Sequence, residues 1–202
     1  MVIFVEGNIG VGKSTFLNLL TANGVETLQE PVETWTNVTN DNGKNILEEF
    51  YADPVRHSYT FQSIAFRSRV SGLSSVSKNC IVERSVFTDR MVFAQVAREA
   101  GNISNIEWND YVSWFDFIVD VKKIKPAGFI YLRASPETCV ERIKKRSRSG
   151  EETIPIEYIK KIHDKHDLWL SSDDNVITFN MDKNRPEDII QDVLEFIKTT
   201  NK

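Results

Sequence analysis

A three-layer α/β domain around a central parallel five-stranded sheet is the fold class this sequence predicts, and three observations carry it. Short apolar, β-branched runs recur along the 202 residues, segments of helical length and periodicity separate them, and a glycine-rich turn joins the first run to the first helix. Continuous apolar strands alternating with helices imply a parallel sheet covered on both faces, because right-handed crossovers place the connecting helices there.

The first strand, VIFVE (2 to 6), leads through the turn into a helix near 13 to 23. VETLQ (25 to 29) is the second strand, followed by helices near 45 to 52 and 54 to 77. CIVE (80 to 83) is the third, with helices near 86 to 100 and 107 to 123 behind it. FIYLR (129 to 133) is the fourth, leading to helices near 136 to 147 and 155 to 171, and VITFN (176 to 180) is the fifth, before a last helix near 187 to 198. Pro136, Pro155 and Pro186 each stand at a helix entry, where a missing amide hydrogen removes no bond. Gly43, Gly101, Gly128 and Gly150 punctuate loops. No repeat, low-complexity tract or linker divides the chain, so residues 1–202 are expected to form one domain.

Composition narrows the function classes. With 41% hydrophobic and 27% charged residues the chain can bury a substantial core. A net charge of -4 argues against a surface built for nucleic acid, where Lys and Arg must neutralise phosphates. Cys80 and Cys139 lie in apolar runs and offer neither a disulfide framework nor metal-ligand spacing; buried, reduced thiols suit a cytoplasmic protein. The opening MVIFV is too short for a signal-peptide core, and no run approaches the length that crosses a bilayer, so no membrane partner is expected. The tripeptides at Asn37 and Asn102 match a glycosylation acceptor, a pattern frequent by chance.

The turn itself carries chemistry. Gly7, Asn8, Ile9, Gly10, Val11, Gly12, Lys13 and Ser14 fit G-x-x-x-x-G-K-[ST] without gaps, between strand and helix, with Thr15 next in line. Such a loop aims backbone amides inward, and the helix start adds a positive dipole end, so an anion belongs there. By the motif's roles Lys13 reaches the outer phosphates of a nucleotide such as ATP, and the Ser14 hydroxyl helps hold Mg2+. The second strand ends in LQEPVETW, which puts Glu30 near this cradle, since ligands collect outside the carboxyl ends of parallel strands. A carboxylate there can take the proton of an attacking hydroxyl; a phosphate acceptor would need none. Glu83 and Arg84 end the third strand, the first able to bind metal through water and the second to steady Glu30; a plain surface ion pair is the other reading.

GNIGVGKST, EPVETW, FQS, ERSVFTDR, FIYLRASPETCVERI and RSRSGEETIPIEYI with HDKHDLWL resemble the deoxynucleoside kinases, the family that includes animal deoxycytidine, deoxyguanosine and mitochondrial thymidine kinases. The resemblance runs from Phe4 to about Leu170 and weakens in SSDDNVITFNMDKNRPED, which is shorter than the family's usual tail. It implies a P-loop kinase fold with strand order 2-3-1-4-5, and transfer of a nucleoside triphosphate's terminal phosphate to the 5′-hydroxyl of a deoxynucleoside, in nucleotide salvage. It makes Glu30 the general base, Arg84 its support and Glu83 a magnesium contact. It sets Tyr51 and Glu151 on the sugar 3′-hydroxyl, Gln62 on the base edge, Phe61 and Phe93 around the base, and Ile9 and Trp35 as apolar walls. Arg142, Arg146 and Arg148, in a run where five of seven residues are basic, match an arginine lid at about 142–153, while Lys144 and Lys145 read as a solvated face.

Arg69 lies seven residues after Gln62 on one helix and can share its pocket. With Asp89 it resembles the deoxycytidine and deoxyguanosine kinase branch: a carboxylate accepts from an exocyclic amine, which thymine lacks. The other reading is a pair that only shapes the pocket. His163 and His166 lack further ligands for a metal and are expected to be exposed or capping. Trp108, Trp114 and Phe115 are expected in core or subunit contact, and the resemblance implies a homodimer through helices of that region. Two alternatives remain: a nucleoside monophosphate kinase recruiting Arg56, Arg67 and Arg90 for an acceptor phosphate, or a non-catalytic accessory subunit. Glu30 speaks against the first, and the retention of Lys13, Glu30 and Arg84 against the second.

Overall fold

The computed structural model describes residues 2–76, 80–148, 151 and 153–200. Five strands, β1 (Val2–Glu6), β2 (Thr27–Leu28), β3 (Ile81–Glu83), β4 (Pro126–Arg133) and β5 (Val176–Asn180), form one all-parallel sheet in the order β2-β3-β1-β4-β5, as expected. Alternation along the strands feeds two helix layers. Ile3, Val5, Ile130 and Leu132 face a core completed by Phe16, Leu17 and Leu20 of α1 (Lys13–Ala22), Cys139 and Ile143 of α8 (Pro136–Arg146) and Val193 of α10 (Ile190–Thr200). Phe4, Val82, Phe129 and Tyr131 face the opposite layer, where Leu73 of α4 (Pro54–Leu73) and Leu170 of α9 (Ile156–Leu170) pack. Beyond them Phe66 of α4 meets Tyr111 and Phe115 of α7 (Asn105–Lys122).

Local chemistry sets several entries. Asn45 caps α3 (Ile46–Ala52) in a reciprocal box with Glu48, and Asp53 accepts from the Arg56 amide while Pro54 opens α4. Ser104 and Glu107 repeat the box at α7.

Four sequence expectations need correction. Gly128 lies inside β4, not in a loop: an added Cβ would come within 2.9 Å of Phe196 Cζ and 3.0 Å of the Asn175 carbonyl, so this glycine lets α10 approach the sheet. The segment 32–36, to which the sequence reading assigns no element, is a helix, α2 (Val32–Thr36), with Pro31 at its N-cap. The helix expected over 86 to 100 is three pieces: α5 (Val86–Thr88), a π-helical turn (Asp89–Phe93) and α6 (Ala94–Glu99). The last helix begins only after a 3-10 turn at Pro186–Asp188. Gly150, the lid positions 149 and 152 and the helix end at 77 lie outside the described residues. No described helix is long and apolar enough to cross a membrane.

Candidate active site

The carboxyl ends of β1, β2 and β3 open into a cavity of about 550 Å3. The turn from β1 to α1 forms its floor. Asn8 anchors that turn, donating to the Ile159 carbonyl of α9 at 2.9 Å and accepting from the Ile9 amide at 2.8 Å. Gly10 stands so close to α8 that a Cβ would fall 2.5 Å from the Cys139 carbonyl oxygen, with φ at +78°. Lys13 is buried and donates to the carbonyls of Gly7 and Asn8, at 3.3 and 2.9 Å. Burial, with Arg84 nearby, lowers its ammonium to about 7 despite Glu83 and Glu30. An anion in the cradle would restore the charge. Ser14 Oγ lies 3.2 Å from both oxygens of Glu83.

Glu30 follows β2, and its Oε1 receives two guanidiniums: Arg69 Nη2 at 2.6 Å and Arg84 Nε at 3.1 Å. Burial acts to raise this carboxyl, but Arg69, Arg84 and Lys13 outweigh it and hold it at about 2. Glu30 is therefore an ionised acceptor at any working pH. Arg69 also reaches Asp89 through Nε, 2.9 Å from each carboxylate oxygen. Burial of Asp89 outweighs that partner and pushes it up to about 6. One guanidinium thus joins the carboxylate after β2 to the carboxylate of the π-helical turn. The sequence placed Arg69 beside Asp89; its grip on Glu30 was not legible, since it spans α4 and the loop after β2.

Of the predicted cradle residues Gly10, Gly12, Lys13, Ser14 and Thr15 line the cavity, while Gly7, Asn8 and Val11 do not. Ile9, Trp35, Tyr51, Phe61, Gln62, Phe93 and Glu151 all line the cavity. Among the described residues Gln62 Oε1 and Arg69 Nη1 are buried without a hydrogen-bond partner, and both side chains line the cavity, where a ligand would satisfy them. The aromatic wall is thicker than the sequence indicated: Phe50 stacks on Phe61 at 4.8 Å and Trp35 meets its edge at 5.5 Å. Leu47, Phe50 and Tyr158 were missed; α9 brings Tyr158 in from far along the chain, and nothing local in the sequence signals it.

The three lid arginines divide. Arg142 donates to the Val11 and Met181 carbonyls at 2.8 and 3.0 Å, tying the cradle to the end of β5. Arg146 and Arg148 both bind the buried Glu151 carboxylate, the latter at 3.2 Å. Lys145 is exposed but lines the cavity rim, unlike the purely solvated residue expected. Arg56, Arg67 and Arg90 do not line it; Arg90 instead sits over the Trp108 ring at 4.3 Å. This removes the groups that the monophosphate-acceptor alternative required.

The expected exposure of His163 and His166 is wrong. His166 is fully buried, parallel to the Tyr131 ring at 6.0 Å, with Nδ1 2.8 Å from the Ile162 carbonyl; His163 faces Arg133 and Asp167 at 3.1 and 3.3 Å. Both lie on the inward face of α9, and burial depresses His166 well below its ordinary range, keeping it neutral. Cys80 and Cys139 are buried and free, as expected, each pushed up to about 11 chiefly by burial. No group of three or more His, Cys, Asp or Glu suited to a metal occurs among the described residues. Two oxygen donors, Ser14 and Glu83, still fit Mg2+, which keeps several waters and binds substrate phosphates rather than an all-protein cage.

The family model described as deoxynucleoside kinase matches residues 3–200. The chain is 38% identical to a fowlpox virus protein named "Probable deoxycytidine kinase FPV151", over 96% of this chain and 87% of the relative. It is 38% identical to the mitochondrial deoxyguanosine kinase of Xenopus laevis, over 90% of this chain and 77% of that protein. Against human deoxycytidine kinase the identity is 35%, covering 98% and 91%.

Proposed function

The chain belongs to the deoxynucleoside kinase family and is an ATP-dependent phosphotransferase of that kind; from this premise we propose how its residues divide the work and which nucleosides it takes. The observation that carries the reading is the cluster at the mouth of the cradle: Glu30 Oε1 held by Arg69 and Arg84 at 2.6 and 3.1 Å, with the charge of buried Lys13 also acting on it.

The backbone amides of Gly10 to Ser14 and the Lys13 ammonium bind the donor's outer phosphates. Ser14 and Glu83 would hold Mg2+, partly through water, and the ion would supply positive charge against the phosphate oxygens. Glu30 accepts a hydrogen bond from the 5′-hydroxyl and orients it in line with the terminal phosphorus. A carboxyl held near 2 is a weak base, which suits a loose phosphoryl transition state in which the proton leaves late. Arg84 steadies Glu30, and Arg146 and Arg148 supply positive charge as it spreads over the transferring group. Glu151 and Tyr51 take the 3′-hydroxyl, while Phe61 and Phe93 sandwich the base.

Gln62 and the Arg69–Asp89 pair read the base, so deoxycytidine and the deoxypurines are accepted and thymidine poorly. The unpaired Gln62 Oε1 and Arg69 Nη1 support this, being a donor–acceptor set with no partner of its own. Homodimerisation is part of the proposal: α7 exposes Ile106 (83%), Trp114 (55%), Phe117 (55%) and Val121 (55%), an apolar stripe suited to a second copy. The deciding experiment pairs Glu30→Gln with a panel of the four deoxynucleosides. Turnover on deoxycytidine falls by about 10²–10⁴-fold while ATP binding is retained; full turnover in the variant, or thymidine as best substrate of the native enzyme, defeats the assignment.

A further inference from the structure

Glu6, the last residue of β1, is fully buried and has no part in the reaction as described above. Its carboxylate reaches across to the segment that follows β3. Oε1 accepts from the Ser85 amide at 2.9 Å, and Oε2 accepts from the Thr88 hydroxyl. Ser85 Oγ in turn accepts from the Thr88 amide at 3.2 Å and opens α5. Ser85 and Thr88 are themselves fully buried, so this is a closed polar cluster under the site.

The residue preceding Ser85 is Arg84, whose φ of 59° is a left-handed conformation that few side-chain-bearing residues adopt. That bend lets the Arg84 amide donate to the Val5 carbonyl at 3.0 Å, while its guanidinium turns back to the Gly7 carbonyl at 2.8 Å and to Glu30 at 3.1 Å. The Val5 and Ser85 contacts hold the strained residue from both sides, and the second depends on Glu6.

We infer that Glu6 is a positioning residue for phosphoryl transfer: it fixes the Ser85–Thr88 turn, so that Arg84 keeps the bend from which it steadies the proton acceptor. Burying a carboxylate is unfavourable, and burial raises Glu6 above its ordinary range against the opposing hydrogen bonds of Ser85 and Thr88 and the charge of Arg84. An apolar strand end would avoid that penalty, which a role in holding Arg84 explains. The inference rests on the reading of Arg84 given above and extends it to the carboxylate beneath the Ser85–Thr88 turn.

The test is a double-mutant cycle on kcat, with Glu6→Ala and Glu6→Gln made alone and with Arg84→Ala, residual activity being followed over long incubations. Glu6→Ala is expected to lower kcat by about 10²-fold, the scale of a displaced positioning group, with Glu6→Gln milder and the KM values for nucleoside and ATP little changed. In the Arg84→Ala background either change should have almost no further effect on kcat. Should Glu6→Ala fail to fold, Thr88→Val, which keeps the carboxylate and removes one donor, carries the same comparison. Unchanged kcat in a folded Glu6 or Thr88 variant, or losses that simply multiply with that of Arg84→Ala, overturns the inference. Native turnover in Arg84→Ala by itself would instead sink the reading of Arg84.

Discussion

Single residues in this site are set by competition between burial and neighbouring charge, and the outcome differs among groups a few ångströms apart. Glu30 and Asp89 share Arg69, yet one is held down at about 2 and the other pushed up to about 6. The difference follows from neighbours: Arg69, Arg84 and Lys13 together outweigh burial at Glu30, whereas at Asp89 burial, with the Glu30 charge added to it, outweighs Arg69 and Arg84. The activity on deoxycytidine, as kcat/KM of the free enzyme, should therefore fall as pH drops through about 6, where Asp89 gains a proton and no longer fixes Arg69 as an ion pair. Asp89→Asn should remove that limb and narrow the preference over thymidine; a limb unchanged in the variant would exclude Asp89 as its source. Lys13 gives a stability signal of opposite kind. The unfolded ammonium keeps its proton to about 10.5 but the folded one only to about 7, so between them the unfolded chain binds more protons and folding stability rises with pH. Cys80 and Cys139, protonated up to about 11 in the fold and ordinarily to 9, act in the reverse direction above 9. Between pH 7 and 9, then, the native unliganded protein should gain thermal stability relative to Lys13→Met. Parallel melting curves across that window would refute the claim.

At the scale of elements, the cradle is a contact between a turn and a helix as much as a sequence motif. Gly10 packs on the α8 backbone, where Cys139 and Ile143 leave no room for a side chain. Gly10→Ala adds about 1–2 kcal/mol of backbone strain from the left-handed φ alone. The collision with Cys139 adds to it and must move α8, the helix that ends in Arg142 and Arg146. Lower melting temperature together with weaker ATP binding is expected; calorimetry showing native affinity for ATP would mean that the turn and α8 are not coupled. The motif was legible because it is local, whereas this packing joins residues 129 positions apart. The π-helical turn makes the same point: helical periodicity over 86 to 100 was readable, but not the wide turn at Asp89–Phe93 that carries two cavity residues, Asp89 and Phe93. Periodicity averages over a window and loses a single added residue.

For the whole molecule, α7 presents an apolar stripe to solvent, on which the proposed dimer depends. Trp114 and Phe117 meet edge to face at 5.9 Å and are each 55% exposed. Phe115 on the same helix is buried against Phe66, so the sequence reading of core or subunit contact divides by helix face. Phe117→Glu should convert a dimer to a monomer in sedimentation with little change in melting of the isolated subunit, because the residue lies outside the core. A native protein that sediments as a monomer at all accessible concentrations would remove the dimer from the proposal.

The sequence by itself determined the strand-and-helix alternation, the phosphate-cradle motif and the likeness to one kinase family, because each of these is written in residue types over short spacings. Tertiary structure alone decided who touches whom across the sheet: Arg69 joining Glu30 to Asp89, Arg142 tying Val11 to Met181, Tyr158 entering from α9, the two histidines turned inward and Glu6 beneath Arg84. The physical reason is one of range. Hydrogen-bond directions, burial and the pKa values that follow from them depend on atoms a few ångströms apart in space, and in a parallel sheet adjacent strands are joined by long crossovers, so those atoms belong to residues far apart in the chain.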